Sequence, residues 1–351
     1  MSPVLESRPR EATVPVIAMD LGGTKLATAV LDAGGESLYR EIIPIGGRRG
    51  TDVAALIIER CEGALEKLRA LGTASPGAVG VTVPGIYHAH RGTVWAPNIP
   101  GWDDYPLLEE LRGALDPGTP VVIDSDRAAY ILGETWRGAA RGAQHAIFLA
   151  VGTGIGAGIM VDGQVLRGRG DIAGAIGWLA LDQPFREQYL SCGCFEHHAS
   201  GPGLVKVALE RLAEDQAYAG ELRSIAPSAL TTEGLFAAHD RGDSLARSVL
   251  EEAIVYWGMA VANLVSLFNP EVIVFGGGVF GPAASFLDRI RAEAVRWAQP
   301  IAVQQARFVV SSLAGDAGLY GAGRLAMLAA TEVLAPSGVA PHTATSPVTN
   351  R

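Results

Sequence analysis

The sequence predicts an α/β fold of two related halves with a ligand cleft between them. Three observations lead there. Apolar runs that end in glycine alternate with stretches of helical periodicity along most of the chain. One pattern occurs twice: VPVIAMDLGGTKLATAVLD and HAIFLAVGTGIGAGIMVDGQVLRG both read as strand, glycine turn, strand. Finally, 351 residues with 48% hydrophobic content exceed what one ordinary core accommodates, so two cores are expected.

Taken in order, residues 1–13 are polar and Pro/Arg-containing and read as a disordered tail, as does the Ser/Thr/Pro-rich stretch 336–351. The first hairpin has its tip at Gly22–Lys25. TDVAALIIERCEGALEKLRALG carries apolar residues at helical spacing, places Cys61 in the core and stops at Gly72. AVGVTVPG is a buried strand, and PVVIDSDRAAYILGETW is a strand that runs into a helix at Asp124–Asp126. After the second hairpin, a long helix over about 243–268 leads to the strand PEVIVFGGGVF. GDAGLYGAGRLAMLAA closes the ordered chain as a helix. The apolar run 253–268 reads as too short to span a bilayer, carries Asn263 and Ser266, and is expected to be buried with Trp257 in the core.

A net charge of −9 argues against general affinity for nucleic acid or anionic membranes, although backbone amides can still bind a phosphate locally. Three cysteines make no disulfide framework, and the N-terminus has no apolar core of a secretory signal, so a cytoplasmic protein is expected.

The chemistry-bearing residues cluster at the glycine turns. In DLGGTK, the amides of Gly22, Gly23 and Thr24 can approach phosphate oxygens, Lys25 adds charge, and Asp20 can hold Mg²⁺ directly or through water. A plain hairpin turn is the competing reading. GTGIGAG, with Gly152, Thr153 and Gly154, suggests a second loop on the same polyphosphate, and Gly276, Gly277 and Gly278 offer a flat surface for an adenine ring. A Rossmann fingerprint and a P-loop are both missing. In IDSDR, a carboxylate at the strand end can take the proton of an attacking hydroxyl. Capping by Asp124 or Ser125 is the plainer reading there, and Asp126 carries the chemical one.

In this order, the segments DLGGTK, VPG…APNIPGW, DSDRAAYILGE, GTGIGAG, GCFEHHASG, VFGGG and GDAGLYGA resemble the ROK family of sugar kinases and sugar-responsive repressors, over roughly residues 15–330. The resemblance implies two actin-like (ribonuclease H-like) lobes with a nucleotide and substrate cleft between them. The first lobe is 14–125, completed by a C-terminal helix at 316–335; the second is 126–315. It implies ATP and Mg²⁺, a small polyol substrate and a homodimer. Asp126 falls at the catalytic base, Asp20 with the glycines of the two turns at the phosphate site, and Gly85, Asn98 and Glu196 at sugar-binding positions.

Departures from the family pattern concentrate at one end of the substrate pocket. AGAIGW, with glycine spacing suited to close approach to a ligand, has Ala175 and Trp178 where the family reads Glu and His. Ser125 replaces an Asn, and Glu187 and Tyr189 replace the first two cysteines of a zinc cluster, leaving Cys194 with Cys192 beside it. Zinc is therefore not expected, and His197 and His198 read as surface imidazoles, His88 and His90 as loop residues. Losing a charged hydrogen bond could cost an aldose roughly 10–100-fold. The remodelled end, with Trp178 as an apolar surface, suggests a C7-cyclitol lacking a hemiacetal. A glucokinase that tolerates the changes and a catalytically idle sugar sensor are the alternatives. A repressor is disfavoured by the 19 residues before Asp20, too few for a winged helix.

Overall fold

A computed structural model of the protein describes residues 14–334, so the two tails read from the sequence lie outside the described residues. The first half comprises β1 (Val16–Leu21), β2 (Lys25–Leu31), β3 (Ser37–Pro44), α1 (Thr51–Ala70), β4 (Val79–Val83), the hairpin β5 (Ile86–His88) and β6 (Thr93–Trp95), α2 (Leu107–Ala114) and β7 (Val121–Ser125). The second comprises α3 (Asp126–Arg137), β8 (Ala146–Val151), β9 (Ile155–Val161), β10 (Gln164–Val165), α4 (Cys194–Ala199), α5 (Gly201–Glu214), α6 (Thr232–Asp240), α7 (Ser244–Phe268), β11 (Val272–Gly276), α8 (Leu287–Trp297), α9 (Pro300–Gln305), β12 (Arg307–Val310) and α10 (Ala317–Leu334).

The two large sheets share one topology. Their orders are β3-β2-β1-β4-β7 and β10-β9-β8-β11-β12. In each, the first three strands are an antiparallel meander and the last two join the first strand in parallel. Parallel strands are covered on both faces, which explains why every residue of β4 and β11 is buried.

One face of the first sheet packs on α1 and α2, the other on α10 through Val16, Ala18, Leu319, Ala322 and Ala326. The second sheet packs on α5 and α7 on one face, and on α3 through Ile131, Leu132, Phe148 and Val274 on the other. Helices α3 and α10 thus form a middle layer between the sheets. They pass closely: a Cβ at Gly133 would lie 2.4 Å from the Ala317 carbonyl oxygen, and one at Gly321 2.0 Å from that of Ala129.

The apolar run at 253–268 is the C-terminal part of α7, whose span agrees with the long helix expected over about 243–268. Asp243 caps α7 by accepting the Leu245 and Ala246 amides at 3.0 and 2.9 Å, and Asn269 ends it in the left-handed region. At 25 residues its length and composition would suffice to cross a bilayer, so shortness is not what argues against a span. Burial is: 67% of its most apolar window is enclosed by the second core. Trp257 is fully buried there and donates its indole N–H to the Ala199 carbonyl at 3.1 Å. Cys61 is buried in α1, which pushes its thiol up to about 12. His88, read as a loop residue, closes strand β5 opposite Thr93.

Candidate active site

The first glycine turn joins β1 to β2. The Gly22 amide donates to the Lys25 carbonyl at 2.9 Å and closes it, while Gly23, Thr24 and Lys25 stay exposed. Among the described residues, the Gly23 and Thr24 amides meet no protein acceptor. Asp20 sits just before the turn, in register with Thr82 of β4, whose hydroxyl donates to Asp20 Oδ1 at 2.7 Å. Burial raises this carboxyl above the ordinary range, with Thr82 and Lys25 working against the rise. A Cβ at Gly318 would come within 2.5 Å of Asp20 Oδ2, so the first turn of α10 rests on the carboxylate.

The second turn repeats the first. Between β8 and β9, the Gly152 amide donates to the Gly154 carbonyl at 2.9 Å, leaving Thr153 and Gly154 exposed. Gly152 lies beside Gly278: a Cβ at Gly152 would sit 3.8 Å from the Gly278 amide nitrogen. Of the three glycines expected to offer a flat surface at 276–278, two are exposed. Gly276 is buried, and a Cβ there would meet the Phe148 ring; Gly277, at φ +88°, and Gly278 are exposed, although a Cβ at Gly277 would strike the Val151 carbonyl.

Asp126 is the first residue of α3 and accepts the Arg127 amide at 2.7 Å. Tyr130, one turn on, lies beside the same carboxylate and works to lower its pKa. Burial pushes Asp126 up to about 6; Arg127 pulls it down and Asp20 pushes it further up. Such a carboxylate is ionised at neutral pH yet far more basic than an exposed one. Asp124 does not cap the helix. It is buried, and Arg167 from the segment after β10 pairs with it at 2.6 Å. Ser125 holds the N-cap position, but its hydroxyl makes no cap hydrogen bond.

The substrate-side residues gather from four segments. Asn98 is exposed, its Cβ 4.0 Å from where a Gly23 side chain would begin, so the APNIPGW segment adjoins the first turn. Gly85 has no room for a Cβ, which would lie 2.1 Å from the Trp95 carbonyl oxygen of β6. Glu196 reaches from α4 beneath the second turn and accepts the Ile155 amide at 2.6 Å. Burial raises its carboxyl too, against that hydrogen bond and Lys206. Trp178 is 58% exposed.

The glycines of AGAIGW approach protein and not open space. A Cβ at Gly174 would strike the Ala157 carbonyl oxygen at 1.9 Å, and one at Gly177 would lie 3.0 Å from both Glu196 Oε2 and the Ile155 carbonyl oxygen. The loop is thereby pinned on β9, and its spacing answers to packing. His197 and His198, read as surface imidazoles, are buried at 3% and 4% exposure. Tyr189 shares a 2.8 Å hydrogen bond with His198 Nε2, and His198 stacks on Tyr256 at 4.3 Å. Burial holds both imidazoles below their usual range. Among the described residues no group of three or more His, Cys, Asp or Glu side chains is arranged to hold a metal.

The structure therefore brings Asp20, the first turn, Asn98 and Asp126 to one end of the middle layer, and the second turn, Gly278 and Glu196 to its other side. Thr82, Tyr130, Arg167 and Gly318 escaped the sequence reading. Tyr130 had a signal, its i+4 spacing from Asp126 on a helix; the other three depend on strand register and long-range packing.

Comparison with known proteins shows the family and the fold. The ROK family description matches residues 16–329. A glucokinase of Halalkalibacterium halodurans is 33% identical over 320 residues, covering 88% of this chain and 94% of its own. A ROK hexokinase from Thermus thermophilus superposes with a TM-score of 0.73 at 32% identity, over 91% of this chain and 99% of its own. A ROK family glucokinase from Streptomyces griseus, solved with glucose and AMPPNP, does so at 0.69 and 30%, over 89% and 98%. The architecture is the actin-like ATPase fold of these proteins, and the chain belongs to the ROK family.

Proposed function

We propose that this protein is an ATP-dependent kinase that phosphorylates the primary hydroxyl of a sugar-like polyol, and that its substrate is a C7-cyclitol of the valienone type. The observation that carries the kinase reading is Asp126: a carboxylate at the start of α3, pushed up to about 6, beside the Asp20 turn. As general base it takes the proton of the acceptor hydroxyl, an effect of roughly 10²–10⁴-fold. The Arg127 amide holds it in place. The free amides of Gly23 and Thr24, and the matching turn at Gly152–Gly154, receive the phosphates, with Lys25 adding charge. The work of such a site is positioning and charge stabilisation.

Asp20 fits Mg²⁺: it is a buried oxygen donor whose charge burial disfavours, and a cation relieves that cost. When bound, the metal neutralises phosphate charge; Asp20 would hold it, directly or through water. The cleft lies between a lobe of 14–125 with the C-terminal helix and a lobe of 126–315, in a cytoplasmic homodimer whose mass light scattering would test.

The narrower reading rests on Ala175 and Trp178. With no carboxylate at 175, the pocket lacks an acceptor for an anomeric hydroxyl, and Trp178 adds apolar surface. A carbocycle that keeps the primary alcohol and lacks the hemiacetal suits that end. The second reading, a glucokinase, is favoured by Glu196 and Asn98, which remain to bind ordinary sugar hydroxyls. The retained Asp126 speaks against an idle sensor. Coupled assay of ATP consumption with glucose, fructose, N-acetylmannosamine and a valienone-type cyclitol series tests the reading. Turnover of none of them contradicts the kinase assignment.

A further inference from the structure

The loop between β3 and α1 reads IGGRRG and plays no part in the reactions assigned above. It links the first glycine turn to the APNIPGW segment. At its start, the Ile45 amide donates to the Thr24 carbonyl of the first glycine turn at 2.8 Å. At its end, the Gly50 amide donates to the Pro100 carbonyl at 2.8 Å, and the Trp102 indole donates to the Gly50 carbonyl at 3.0 Å. The loop is thus tied at one end to the phosphate turn and at the other to the segment carrying Asn98. Beneath it lies a cleft of about 320 Å³, lined by Gly23, Thr24, Arg48, Arg49 and Asn98 among others. No carboxylate lines it.

The donors around this cleft have no anion to meet. Arg48 donates only to backbone carbonyls, Ile45 at 2.8 Å and Pro44 at 3.4 Å. The Arg49 guanidinium makes no hydrogen bond or ion pair among the described residues, nor does either exposed amide of Gly23 or Thr24. Two arginines set next to free amides, on a chain of net charge −9, form a local positive site against the global field. Arginine's fork of donors matches a phosphate.

We propose that the Gly46–Gly50 loop is an oxyanion clamp, with Arg49, and Arg48 beside it, binding a phosphate held over the Gly23–Asn98 cleft. The proposal deepens the kinase reading and rests on it. The phosphate is either the terminal one of the nucleotide or the one carried by the phosphorylated product.

Calorimetry on the full chain separates these sources, using ADP, AMPPNP and glucose 6-phosphate with Arg49→Ala, Arg49→Lys and the Arg48→Ala/Arg49→Ala double variant. If the terminal nucleotide phosphate is the ligand, AMPPNP weakens roughly tenfold while ADP changes less than about twofold. If the product phosphate is the ligand, glucose 6-phosphate weakens by a similar factor and both nucleotides hold. In either case Arg49→Lys recovers part of the loss, and the effect shrinks as salt rises. If the wild type binds these compounds and the folded double variant binds all of them equally well, the clamp is overturned and the kinase reading stands. If the wild type binds none of them, both fall together.

Discussion

Glu196 Oε2 accepts the Ile155 amide at 2.6 Å, so the carboxylate of α4 is fastened to the first residue of the strand that leaves the second glycine turn. In the proposed site this side chain serves two ends: it braces the second glycine turn, and its other oxygen is the one proposed to meet the acceptor. Glu196→Gln keeps the reach and loses the charge. The expected result is an acceptor kcat/KM about tenfold lower, with AMPPNP affinity changed less than about threefold. Glu196→Ala, which also frees the turn, should weaken both. An unchanged acceptor KM in both variants removes Glu196 from the substrate site.

Asp126 gives a test in pH. A general base works only when ionised, so kcat/KM should fall as pH drops through about 6, the value to which burial raises this carboxyl. Asp126→Asn should lose roughly 10²–10⁴-fold in kcat while nucleotide affinity holds. The same shift has a stability sign. A carboxyl raised in the folded state stabilises fully below its unfolded value near 4, and that contribution is lost as pH rises through about 6. At neutral pH the Asn variant should therefore be more stable than wild type, by about 1 kcal/mol or more. A variant both active and less stable contradicts the assignment.

The Asp124–Arg167 pair joins the end of β7 to the segment after β10, with the carboxylate buried and the guanidinium 42% exposed. Arg167→Ala strands a buried charge and should cost about 2–3 kcal/mol, less than the 3–5 of a fully buried pair because Arg167 is partly solvated. Adding Asp124→Asn should recover much of it. Urea denaturation of the single and double variants measures the coupling; additive losses would mean that the pair carries no coupling energy.

Much of this site was legible in the sequence because its parts are local. DLGGTK and GTGIG announce turns through consecutive small residues, and IDSD places acids where a strand meets a helix. What stayed hidden depends on distant segments. Thr82 reaches Asp20 only through the parallel register of β1 and β4, and Gly318 abuts it because α10 returns to the first sheet. Arg167 lies 43 residues from Asp124. The glycines of AGAIGW, and Gly276 of FGGG, were read as ligand-facing when they answer to packing, since a missing Cβ looks alike in sequence whether protein or ligand fills its place. The histidines of α4 misled for a related reason: HH beside a charged residue reads as surface, and only tertiary packing of Tyr189 and Tyr256 buries them.

The Tyr189 hydroxyl spans His198 Nε2 and Asp182 at 2.8 and 3.1 Å. This network can order the segment without a metal. Chelator treatment should leave Tm unchanged and metal analysis should find no stoichiometric zinc. Tyr189→Phe should cost about 1–2 kcal/mol by leaving a buried imidazole nitrogen unpaired. One tightly bound zinc per chain, lost together with stability on chelation, would overturn this.

If Ala175 and Trp178 turn a sugar kinase toward a carbocyclic polyol, one competition experiment reads it most directly. Glucose and a valienone-type C7-cyclitol compete for phosphorylation by the wild type and by the Ala175→Glu/Trp178→His variant. A restored carboxylate is costly to bury unless a hydroxyl satisfies it, so it favours the substrate with an anomeric hydroxyl. The wild type should prefer the cyclitol, and the variant should shift toward glucose by about 1–2 kcal/mol in relative kcat/KM. A wild type that already prefers glucose, or a folded variant whose ratio does not move, contradicts the cyclitol assignment.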